Sequence, residues 1–116
     1  MVEDIDLDAN FSDEGGEVSG STTVHGVVTG GVPDSMDAAL QVEIGGATTN
    51  VDIYVEGRTS PDIGYENVIT STNVSNGYSD LQTGIDLSGL YDVRLRVVNQ
   101  DGTNDGSVRA VLSVSG

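Results

Sequence analysis

Apolar and polar residues alternate with a period of two along most of this chain. In "YDVRLRVVNQDG", residues 91–102, Tyr91, Val93, Leu95 and Val97 point one way, and Asp92, Arg94 and Arg96 point the other. "AALQVEI" places Leu40, Val42 and Ile44 on one face. "NVDIYVEG" places Val51, Ile53 and Val55 there, with Asp52, Tyr54 and Glu56 opposite. Near the end of the chain Val108, Ala110, Leu112 and Val114 line one side, and Arg109 and Ser113 the other. Each pattern predicts a strand with one buried face. Less regular strands are expected at about residues 17–30, 64–72 and 78–83, set off by the turn signals "GGVPDS", "RTSPDIG" and "NVSNG". The polar, Gly-bearing "NQDGTNDG" between the last two strands predicts an antiparallel hairpin over 90–115. No stretch sustains a helical period.

The beginning of the chain differs in character. "DIDLDANF" alternates like a strand, with Ile5 and Leu7 on one side and Asp4, Asp6 and Asp8 on the other, and "DEGG" then breaks the pattern. It reads as an acidic N-terminal arm or edge strand over residues 1–15, ahead of a β-sandwich domain over 16–116. Seven or eight strands in 116 residues favour an all-β, two-sheet antiparallel β-sandwich. With no Trp and no cysteine pair, a jelly-roll-like topology is preferred to an immunoglobulin one.

Composition then sets the working environment. Nineteen Asp and Glu face four basic residues, all arginine (Arg58, Arg94, Arg96 and Arg109), for a formal net charge of −15. Self-repulsion of that size opposes compaction in dilute buffer, and near-molar salt, with a Debye length of about 3 Å, removes most of it. The absence of lysine removes long apolar stems that salt would drive together. A high-salt habitat is the expected setting. The same charge argues against nucleic acid as a partner, since phosphate binding needs clustered cations. The start of the chain carries no leader pattern, and no run approaches the roughly 18 apolar residues of a membrane span, so a soluble chain without membrane insertion is expected.

Candidate chemistry is sparse. His25 is the single histidine and has no partner set for a nucleophilic triad or a histidine zinc site. Carboxylate pairs are too abundant to mark a glycosidase, and no cofactor fingerprint is present, so no enzyme is expected. "DGTNDG" fails the EF-hand spacing, with Thr103 third and Leu112 twelfth. Asp101 and Asp105 are its candidates for a structural cation, against a plain reading as turn residues. Asn10 and Asn73 fit the glycosylation triplet, which matters only outside the cell. Arg94 and Arg96 share a strand face, so their partners are carboxylates, either of this chain or of a neighbouring subunit whose docking register they set.

"TNVDIYVEGRTSPDIGYENVI" followed by "GIDLSGLYDVRLRVVNQDGTNDGSVRAVLSV" resembles the second half of small jelly-roll modules found among structural proteins of tailed viruses. Leu87, Leu90, Val93 and Leu95 match the apolar frame over roughly residues 48–116. With the acidic composition, the resemblance implies a non-enzymatic virion protein of a tailed virus of salt-loving archaea. It would be a capsid decoration, turret or tail-associated subunit that assembles with itself and with capsid or tail subunits. Its expected assembly interface comprises Ile5, Leu7 and Phe11 of the arm with Arg94, Arg96 and Arg109. The alternative is a module binding a carbohydrate or host receptor through the loops 57–65, 73–78 and 99–106, with Tyr65 and Tyr78 stacking on a glycan.

Overall fold

The computed structural model describes residues 2–11, 22–28 and 36–115. Within them lie eight strands: β1 (Val2–Phe11), β2 (Thr22–Val28), β3 (Asp37–Gly46), β4 (Val51–Arg58), β5 (Glu66–Val74), β6 (Ser79–Asp86), β7 (Asp92–Asn99) and β8 (Gly106–Ser115). They form two antiparallel four-stranded sheets, the first in the order β1-β8-β3-β6 and the second in the order β2-β7-β4-β5. The pairings are nested: β1 with β8, β2 with β7, β3 with β6 and β4 with β5. One long hairpin bent between β4 and β5 produces that set. Rolling it up adds the β3–β8 and β4–β7 pairs and yields the jelly roll.

The period of two explains the layers. Ala38, Leu40, Val42 and Ile44 of β3 and Val108, Ala110, Leu112 and Val114 of β8 face Val51, Ile53 and Val55 of β4 and Val93, Leu95 and Val97 of β7 across a dry aliphatic core. Ile5 and Leu7 close the core at one side, and Ile85 and Leu87 also belong to it. β5 and β6 flank both sheets on the other side and are mostly exposed on both faces. Their weak alternation in the sequence follows from that position.

The acidic opening stretch is the outer strand of the first sheet, in register with β8 from Val2↔Ser115 to Phe11↔Gly106. The expected boundary between residues 15 and 16 lies outside the described residues. β1 packs against β2 through a slot at Gly26, where a Cβ would overlap the Ile5 side chain and lie 3.2 Å from Leu7 Cδ2.

The hairpin expected over 90–115 is not formed. β7 lies in the second sheet between β2 and β4, and β8 in the first between β1 and β3. Alternation marks a strand with one buried face but carries no information about its neighbour, and residues 100–105 are long enough to cross between sheets about 10 Å apart.

Candidate functional site

Sheet parity sends Asp52, Tyr54, Glu56 and Arg58 of β4 and Asp92, Arg94 and Arg96 of β7 to the outer face of the second sheet. Register then places Tyr54 opposite Arg96, Glu56 opposite Arg94 and Arg58 opposite Asp92. Three of the four arginines therefore share one face. Glu56 Oε1 accepts from Arg94 Nε at 2.7 Å and from Arg96 Nε at 3.2 Å. Arg58 grips Asp92 with two parallel hydrogen bonds, Nε to Oδ1 at 2.8 Å and Nη2 to Oδ2 at 3.0 Å, the bidentate geometry that suits a guanidinium.

Aromatic rings complete the array. The Arg58 and Arg94 guanidinium carbons lie 4.6 and 4.2 Å from the centre of the Tyr65 ring, and that of Arg96 lies 4.3 Å from the Tyr54 ring. The Tyr65 hydroxyl also lies close enough to Asp92 for the two to shift each other's titration. Burial and that carboxylate raise the Tyr65 phenol above its usual range, and burial with Asp52 does the same to Tyr54. Arg58, helped by Tyr65, holds Asp92 below the ordinary carboxylate range against the opposing effect of burial. The Glu56 and Asp92 side chains are only 7% exposed, whereas the three arginines over them keep 24–29%. Carboxylates form the floor of this face, and guanidinium and phenol groups form its surface.

The outer face of the first sheet has the opposite layering. Arg109 donates to Asp8 at 3.1 Å and Asp6 at 3.4 Å, and all three side chains are at least half exposed. Asp4, Asp37 and Glu43 are exposed on the same face, so acid dominates what it presents to solvent.

The residues expected at an assembly interface therefore have other occupations in this chain. Ile5 and Leu7 are buried in its own core, so among the described side chains of β1 the acids, with the outer backbone edge, remain to meet a neighbour. Phe11 pairs with Gly106 along the backbone, and its side chain lies outside the described residues. Arg94, Arg96 and Arg109 all meet carboxylates of the same chain, the first of the two alternatives the sequence left open. His25 pairs with Arg96 in the sheet ladder, and its side chain also lies outside the described residues.

The structure does not bring the two ligand-loop tyrosines together. Tyr65 precedes β5 and Tyr78 follows it, so they sit at opposite ends of a nine-residue strand, about 30 Å apart. Tyr65 is occupied by two arginines and Asp92. Tyr78 is half-buried against the core and donates to Asp80 at 3.1 Å. No common stacking surface exists between them.

The loops 47–50, 75–78 and 100–105 do meet, at the end away from Tyr65. Asp101 organises them. Its Oδ2 accepts from Thr49 N, Thr49 Oγ1 and Asn104 Nδ2, and its Oδ1 from Thr103 N and Asn104 N, at 2.8 to 3.1 Å. These donors, Asn104 foremost, push its pKa far below the ordinary carboxylate range. Both carboxylate oxygens of Asp101 are thus engaged with N–H and O–H donors of this chain, the turn role weighed against the cation role. Asp105 is exposed beside it, and no group of three metal-ligating side chains occurs among the described residues. Asn73, with φ of 58°, and Asn10 are both exposed.

Sequence reasoning missed Glu56 and Asp92 as the anchors of the arginine face. Strand parity put Glu56 on the outer face, but only the β4–β7 register selects it from nineteen acids as the partner of Arg94 and Arg96.

No family model matches the chain, and no curated protein matches it. Solved structures match in fold. The T=1 particles derived from infectious bursal virus align over 98% of this chain and 31% of theirs, at 16% identity and a TM-score of 0.61. The disulfide-linked pili of Bacillus endospore appendages align over 98% of this chain and 87% of theirs, at 10% identity and 0.53. A cleaved adhesin domain of Lys-gingipain from Porphyromonas gingivalis aligns over 79% and 63%, at 13% identity and 0.57. The chain thus spans about a third of the length of the viral particle protein it matches.

Proposed function

We propose that this chain is a non-enzymatic structural subunit of a virion, a capsid-decoration, turret or tail-associated protein of a salt-adapted tailed virus of archaea. It assembles with copies of itself and with capsid or tail subunits. The observation that carries the reading is topological: the described residues form one eight-stranded jelly roll, and 98% of the chain overlays part of a virus particle protein. Two further facts support it. Both sheets end in strands with no further partner among the described residues, β1 and β6 in one and β2 and β5 in the other, and such edges accept a neighbour's strand. The charge of −15 suits a medium in which repulsion between copies is screened. In this reading residues 1–15 act at the β1 edge as the docking element of the sandwich.

Light scattering after size exclusion tests it, in multimolar salt and again after dilution. A closed oligomer at high salt that dissociates on dilution is expected. A folded monomer in both conditions contradicts it. The likeness to an adhesin domain, with the arginine–tyrosine face, favours a second reading as a glycan- or receptor-binding module. Glycan-array binding by that monomer is the result that selects it.

A further inference from the structure

We infer that the outer face of the second sheet docks on the outer face of the first sheet of a second copy, guanidinium and phenol groups against acid. The inference rests on the reading of a self-assembling subunit and names the surface that reading leaves open.

Solvent exposure carries the argument. On the first sheet the ladder exposes both signs, since Arg109, Asp6 and Asp8 are all at least half exposed. On the second sheet Glu56 and Asp92 are covered and the arginines lie over them, while Asp52, half-exposed at the margin, brings the formal charges of the face into balance. Val27, 44% exposed, extends the patch beside Arg94 on β2. Arginine, tyrosine and an exposed aliphatic side chain are the composition of an interface centre. It stands on a body of charge −15 that repels its own copies everywhere else.

The complementary surface is on the same molecule. Asp4, Asp6 and Asp8 of β1 and Glu43 of β3 form a flat acidic face, with Arg109 as its one cation among the described residues. The chain measures 43 × 29 × 18 Å, so either flat face offers on the order of 1,000 Å², against about 800 Å² per partner in a standard interface. Guanidinium groups are weakly hydrated and already stacked on tyrosine, so their pairs with carboxylates persist at salt concentrations that silence longer-range repulsion. Two different faces in contact make a heterologous interface, which closes into a ring or grows as a filament.

The test is the triple variant Asp4→Ser, Asp6→Ser, Asp8→Ser, compared with the wild type by light scattering and sedimentation in high salt. Removing three acids changes the formal net charge from −15 to −12. Nonspecific repulsion therefore predicts stronger self-association. The inference predicts the reverse, a dissociation constant raised about tenfold or more. A second variant, Val27→Asp, probes the other face at an exposed position and is expected to weaken association similarly, with thermal melts verifying that both variants fold. A wild type that assembles with unchanged or greater strength in both variants overturns this interface and leaves the virion reading standing. A wild type that stays monomeric in high salt overturns both.

Discussion

Asp101 shows how one side chain fixes a junction of loops. Five donors from residues 49, 103 and 104 converge on its two oxygens, adding to the backbone bonds Ala47 N to Asp105 O and Gln100 N to Asn50 O that join 47–50 to 100–105. Asp101→Ala is expected to leave those donors short of an acceptor and lower the melting temperature more than any exposed acid-to-alanine change on the first sheet. The pH dependence follows from the sign of the shift. Asp101 and Asp92 have folded-state pKa values pushed below the usual range, so their stabilisation is complete above the ordinary carboxylate pKa of about 4 and disappears as pH falls through the depressed folded values. Melting temperatures from neutral pH down to pH 2 should decline steeply only at the acid end, and Asp101→Asn should flatten part of that decline. An equal slope in wild type and variant contradicts the assignment. Glu56→Gln removes the charge that two arginines share and is expected to cost about 2 kcal/mol in urea denaturation. Asp8→Asn, at an exposed ladder, should cost under about 0.5 kcal/mol. Similar costs for the two would mean that burial of Glu56 contributes nothing.

Strands are where the sequence was most readable, and where its limit is plainest. Every strand expected from alternation exists, and its buried face is the expected one at Leu40, Val42, Ile44, Val51, Ile53, Val55 and Val108. Partners were not readable. Tyr91–Val97 and Val108–Val114 look like a hairpin because they are consecutive and joined by a turn-rich loop, yet the loop crosses the core and each strand pairs elsewhere. The same gap hid Glu56, whose face was legible and whose register was not. Packing between elements supplies a direct test at the β1–β2 contact. Gly26 makes room for Ile5, so Gly26→Ala should destabilise the fold. Ile5→Ala should cost about 2–4 kcal/mol on its own. In the double variant the new methyl group occupies space the isoleucine has left, and the combined loss should be smaller than the sum. Strict additivity in chemical denaturation would show that β1 does not lie on β2 as described.

The whole molecule carries an excess charge that no local contact removes, because the arginines neutralise only a few of nineteen acids. Composition made that legible at once, and no structural detail was needed. Its consequence separates into two regimes that salt can resolve. Screening acts through ionic strength alone and is largely spent by about 1 M, where the Debye length is about 3 Å. Further gain must come from stronger effective burial of the aliphatic core and depends on which anion is present. Stability measured against sodium chloride and sodium sulfate at matched ionic strength should rise along one curve up to about 0.5 M and then diverge, with sulfate higher. The steep first rise is the specific signature of a −15 body, since a neutral jelly roll with the same core has only the second phase. A melting temperature that is flat below about 0.5 M would mean that the acids are tolerated without salt. Habitat would then lose its physical support, and the virion reading would rest on the topology and the unpaired sheet edges.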